Sequence, residues 1–108
     1  MFVVVNKFLL AKHFDGVVLW PFIVVKRAEL KEDAVFMNHE RIHLKQQVEL
    51  LLIFFFVWYF FEYFIRLLKY GDSYKAYNRI CFEREAYANE RNLGYRERRP
   101  FWNFLNYL

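Results

Sequence analysis

His39-Glu40-Arg41-Ile42-His43 sets two imidazoles four residues apart, with a carboxylate directly after the first. No Gly or Pro interrupts the surrounding chain, which reads as helix, and on a helix positions i and i+4 stack on one face. The two rings can therefore converge on one metal ion with Glu40 beside them, the H-E-x-x-H arrangement of a hydrolytic zinc site. The metal's part in such chemistry is to acidify a water and polarise a scissile carbonyl. The part of Glu40 is to take the water's proton and pass it to the leaving amine.

A catalytic zinc ion needs three protein ligands and one open position, so a third donor must come from elsewhere in the chain. His13, in a short apolar stretch before the Asp15-Gly16 turn, is a weak candidate. Residues 78–92 are a better source: they lack Gly and Pro, are rich in helix formers, and carry Glu83 and Glu85. One carboxylate from such a helix completes a His2Glu set, and the spacing leaves both open. Cys81 reads as a small buried residue and not as a ligand.

With Phe82-Glu83-x-x-Ala86 following the histidine motif, the chain resembles the gluzincin metallopeptidases, in particular the minigluzincins and the integral-membrane prenyl-protein (CAAX) peptidases. Their third ligand is the first Glu of an E-x-x-A-D motif on a later helix. The resemblance implies that Glu83 joins His39 and His43 as metal ligands, that Glu40 is the general base, and that Zn2+ is the cofactor and a peptide or protein the substrate. The chain departs from that pattern at Tyr87, which stands where the family usually has Asp. That Asp supports a ligating histidine, so another group must do so here, and Asn38, Gln46, Gln47 and Glu90 are the candidates. Donors for a developing oxyanion are sought among Tyr87, Arg91, Tyr95 and Arg96.

The elements that must position these residues follow from patterning. Residues 2–10 and 17–25 are apolar and β-branched, separated by a turn at 13–16, and read as two antiparallel strands, the β-hairpin region of residues 1–27. Trp20-Pro21 makes the second an edge strand or one with a bulge. Asp33 is an N-cap for a helix from Ala34, and the helical pattern with its apolar segment spans 33–70. Gly71-Asp72-Ser73 supplies a stop and a fresh cap for a second, ligand-bearing helix over 74–92. Residues 96–108 form an aromatic tail too apolar to be left in water. It must pack back, either against the core or, as in some minigluzincins, into the cleft. The expected fold is one α+β domain, mostly helical, with a short N-terminal antiparallel sheet.

Composition narrows the setting. The chain is 23% aromatic, more than a domain of 108 residues ordinarily holds, so the excess needs a membrane surface or a partner subunit such as a second copy. A net charge of +4 accompanies this, but the aromatics form an apolar block and do not interleave with Arg and Lys, which excludes a nucleic-acid surface. A single cysteine and no secretory leader make a cytoplasmic site, peripheral on the membrane, the expectation. Residues 50–61 are apolar without interruption, too short for the ~20 residues of a span. Geometry agrees: a straight helix from His43 to Leu68 ends ~37 Å away, and a helical return to Glu83 recovers only ~18 Å. The chain must therefore bend or break between about residues 55 and 70, or take its third ligand from a second protomer. The function these features imply is a small zinc metallopeptidase on a membrane surface. The other reading is a non-catalytic zinc-binding interaction module with an aromatic binding surface.

Overall fold

The structure, a computed structural model, describes residues 2–6 and 15–108. His13 lies outside the described residues. Three strands, β1 (Phe2–Val5), β2 (Gly16–Leu19) and β3 (Phe22–Val25), form one sheet in the order β1-β3-β2. Five helices follow, so the protein is α+β and mostly helical, with its small sheet at the N-terminus.

The pairing within that sheet differs from the expected two-stranded hairpin. Residues 17–25 do not form one strand: they fold back at Trp20-Pro21, whose peptide bond is cis, and β2 pairs antiparallel with β3. β1 lies parallel to β3, with Phe2 opposite Phe22 and Val5 opposite Val25. Pro21 has no N–H to extend a ladder, and here it makes the turn itself and not an irregular edge. Ile23, Val25 and Val18 point inward with Leu30 and Met37, forming a small apolar cluster beneath the first turns of α1.

Helix α1 (Ala34–Glu49) begins where expected, the Asp33 carboxylate accepting a hydrogen bond from the Phe36 N–H at 3.0 Å. It ends only six residues past His43. Leu51 and Leu52 both take positive φ, 54° and 62°, and α2 (Ile53–Tyr70) leaves at 112° to α1. The required bend is present, but before residue 55 and not within 55–70, where α2 runs unbroken. Two leucines in a conformation that L-residues disfavour form an elbow that no Gly or Pro announces. What holds it is burial on either side: Leu50 and Phe55 both sit in the main core with Ile80, Cys81, Phe82 and Phe104. No single helix among the described residues is long and apolar enough to cross a membrane.

Gly71 stops α2 in the left-handed region, φ 66°, and Asp72 caps α3 (Ser73–Arg79) by accepting from the N–H groups of Tyr74 and Lys75. The single helix expected over 74–92 is instead two, α3 and α4 (Cys81–Asn89), broken at Ile80. The break has a buried partner. Glu62 of α2 accepts the Cys81 N–H at 2.9 Å, satisfying the new helix N-terminus with a carboxylate, while the fully buried Ile80 anchors the corner. The burial that surrounds Cys81 also pushes its thiol pKa up, consistent with an inert core residue.

After the short α5 (Tyr95–Arg98), the tail packs on the main core and not in the cleft. Phe104 is wholly buried between Phe82 and Trp58, with ring centroids 4.9 and 5.4 Å away. Arg99 anchors the tail through ion pairs to Glu85 and to Glu49. The reading in which this segment occupies the cleft is thereby corrected: no tail residue lines the cleft, and Phe104 is the side chain that packs beside α2 and α4, while Phe101, Trp102, Leu105 and Leu108 remain exposed.

Candidate metal centre

α4 lies against α1, fastened by an amide side chain near each end. Gln46 donates from Nε2 to the Phe82 carbonyl at 3.1 Å and to Glu85 Oε1 at 2.8 Å. Asn38, two turns earlier on α1, donates from Nδ2 to the carbonyls of Glu90 and Asn92, at 2.8 and 3.0 Å, closing the far end of α4. Between these clamps the sequence-predicted residues meet. His39 Nε2 and His43 Nε2 are 3.2 Å apart, and each faces Glu83 Oε1, at 3.3 and 3.1 Å. All three side chains are buried, and together they could hold a metal ion.

Glu85, the alternative ligand, goes elsewhere. It is fully buried on the far side of α4, where Arg99, Gln46 and Tyr95 bind its carboxylate. Successive positions on a helix diverge by ~100° each, so Glu83 and Glu85 cannot serve the same site.

The remaining ring nitrogens explain how the chain manages without the Asp that Tyr87 replaces. His39 Nδ1 lies 3.1 Å from Glu90 Oε2, and His43 Nδ1 lies 2.8 Å from Gln46 Oε1. Since Gln46 spends its NH2 group on Phe82 and Glu85, its oxygen must face His43 and accept from Nδ1–H. Both rings thus spend Nδ1 on these partners, which leaves Nε2 as the nitrogen that can bind a metal once it gives up its proton. Of the four substitutes the sequence offers, Glu90 and Gln46 thus do this work. Asn38 clamps α4 and Gln47 binds the sheet. Tyr87 itself packs edge-on against His39, ring centroids 4.4 Å apart. Replacing Glu90 with Ala should lower metal affinity by about 10- to 100-fold while leaving the fold intact. Competition against a chelator measures it, and unchanged affinity would show that His39 needs no such support.

Electrostatics prepares the cluster for a cation. Burial alone would raise the Glu83 carboxyl, but the His43 and His39 imidazoles override it and hold its pKa well below the usual carboxylate range. Burial likewise works against a charged His43, and the adjacent Glu83 overrides that too, holding the imidazole up at about 9. Metal uptake must therefore displace a proton from this cluster.

The cluster opens into a cleft of about 800 Å³ lined by His39 and Glu40 on α1, Gly16 at the start of β2, and Tyr59, Tyr77 and Tyr87. Glu40 is not in the ligand triangle; burial pushes its pKa up, with Glu83 and Glu90 adding to the effect and the two histidines opposing it. Gly16 keeps this corner open: a Cβ would stand 2.6 Å from Phe36 Cζ and 3.3 Å from Glu40 Oε1, so a larger residue would have to push the Phe36 ring aside. Trp20 N–H and the Val18 carbonyl are tied to the Gln47 amide, at 2.7 and 2.8 Å, which fastens β2 to α1.

Among the oxyanion-donor candidates, Tyr95 binds Glu85 and Asn103, and Arg96 binds Asn38. Arg91 is exposed outside the cleft lining, and only Tyr87 lines it, its hydroxyl 3.3 Å from that of Tyr77. Sequence reasoning missed Tyr77, and also Tyr59, whose hydroxyl donates to Glu83 Oε2 at 2.8 Å. A signal for Tyr59 existed: it is a polar tip inside a run of phenylalanines, and a buried phenol needs a partner. No family model, curated protein or solved structure significantly matches the chain.

Proposed function

We propose that this protein is a small zinc-dependent metallopeptidase of gluzincin type, with His39, His43 and Glu83 as metal ligands and Glu40 as general base. The observation that carries the reading is the size of the ligand triangle. Donor atoms at about 2.0–2.1 Å from a tetrahedral zinc ion lie ~3.3 Å from one another, and the three separations here are 3.2, 3.3 and 3.1 Å. Two imidazoles and one carboxylate are the donor set of catalytic zinc, and among the described residues the group has three members, which supports an open position over a closed structural site.

When bound, zinc supplies Lewis acidity toward a water and a peptide carbonyl. The chain supplies the rest. Glu40, beside the ligands and facing the cleft, accepts the proton of the attacking water and delivers it to the leaving nitrogen. A raised pKa suits that task, because a base working near neutrality must also be able to give the proton back. Tyr87 and Tyr77, whose phenols burial keeps protonated, are hydrogen-bond donors on the cleft wall for the developing oxyanion. Tyr59 binds the Glu83 oxygen that does not face the histidines and so fixes the carboxylate's orientation.

The test is metal content and turnover together. The purified chain should carry one zinc per molecule and cleave a denatured protein mixture, read as new termini by mass spectrometry, and His43→Ala should lose both. Zinc retained at full stoichiometry in His43→Ala would defeat the proposal.

A further inference from the structure

Helix α2 is half a core helix. Phe55 and Glu62 are buried on one side, yet Ile53, Val57, Phe61 and Ile65 follow one another at i+4 on the other, with Phe60, Phe64 and Leu68 beside them. These seven are between 48% and 76% exposed, and no polar residue falls among them. Three phenylalanines of ~200 Å² each, about two-thirds open, leave ~400 Å² in water, and the four aliphatic side chains carry the stripe past the ~300–600 Å² of the largest patch on an ordinary monomer.

Charge says what covers it. The i+4 row ends on the exposed Lys69, and between residues 67 and 80 the cations Lys69, Lys75 and Arg79 are accompanied by a single acid, Asp72, while Arg66 one turn earlier is paired with Glu62 at 3.2 Å. Asp72 is occupied in capping α3. Lys69 and Arg79 both lie over the Tyr70 ring, at 5.3 and 5.8 Å, so the corner between α2 and α3 is basic and aromatic at once. A second copy of a chain with net charge +4 is on balance repelled by this corner, whereas a layer of lipid phosphates attracts it. An apolar helix face with cations at its edge binds by burying its apolar area at the headgroup level and by attraction to anionic lipid. The stripe is also continuous with the site, since Phe60 belongs to the exposed row and to the lining of the cleft.

We infer that α2 docks this protein on the surface of an anionic bilayer, with the apolar stripe immersed, the basic corner on lipid phosphates and the cleft opening at the interface. Neither α1 nor α2 is by itself long and apolar enough to cross a membrane, and the elbow at Leu51 and Leu52 sets the two helices 112° apart.

Flotation of the purified full-length chain tests this, with vesicles of phosphatidylcholine alone and of phosphatidylcholine mixed with phosphatidylglycerol. The chain should float with the mixed vesicles and do so less as salt rises. Phe61→Glu and Phe64→Glu should each weaken binding about tenfold or more, with unchanged far-UV circular dichroism. Phe61→Trp should gain emission that brominated lipid tails quench. No flotation with either vesicle, flotation indifferent to both Glu substitutions, or a stripe-dependent dimer that does not float would overturn the inference. Metal-free protein serves as well as metal-loaded protein, so failure here leaves the peptidase proposal standing and failure there leaves this one.

Discussion

Glu83→Ala should remove the metal while Glu85→Ala leaves it, and the second variant is the one expected to lose stability, by about 3–5 kcal/mol. The two carboxylates are two residues apart on one helix and do unrelated work. Glu83 faces the histidines; without it two imidazoles remain, too few to hold zinc against water. Glu85 has no exposed surface and pairs with Arg99, whose side chain is 2% exposed, so truncation strands a guanidinium in the interior with only Glu49 to compensate. The Gln46 amide and the Tyr95 hydroxyl lose an acceptor at the same time. Metal analysis of the folded fraction and denaturant unfolding separate the two effects. If Glu85→Ala loses the metal while Glu83→Ala keeps it, the ligand assignment is wrong.

Glu40→Gln should hold zinc at close to the parent level and lose about 100- to 10,000-fold in turnover. Glutamine fills the same volume and keeps one oxygen, so the packing against Gly16 and Phe36 survives, but an amide cannot accept and return a proton. Because Glu40 contributes no atom to the ligand triangle, its neutralisation leaves the donors in place. Turnover persisting in a variant that retains metal would remove Glu40 from the chemistry.

Much of the site is legible in sequence because it is local. His39 and His43 share a face by helical periodicity alone, the starts at Asp33 and Asp72 are made by carboxylates that bond N–H groups within three residues of themselves, and the stop at Gly71 by a left-handed backbone that glycine adopts freely. The breaks are not local. Leu51 and Leu52 carry no turn signal, and their backbone is held by a core assembled from Phe55, Phe82 and Phe104, the last of them 53 positions from Leu51. Ile80 interrupts a helix whose composition would continue it, because Glu62 offers the new N-terminus a carboxylate from another helix. The parallel partner of β3 was likewise invisible: β1, β2 and β3 are all short and apolar, and apolar content fixes no pairing.

The Gln47 clip on β2 has a consequence for self-association and for substrate length. A strand at the end of a sheet is a template on which other chains can polymerise, and proteins protect such edges in varied ways. Here a single amide imitates a neighbouring strand, occupying the Val18 carbonyl and the Trp20 N–H, so the hairpin end is already satisfied where an intruding chain would dock. What is left for a guest backbone is the Gly16 end, where the edge meets the cleft. If the cleft takes a peptide as proposed, main-chain pairing is confined to that end, and discrimination among peptides falls to the tyrosine-walled pocket and not to a long ladder of main-chain bonds.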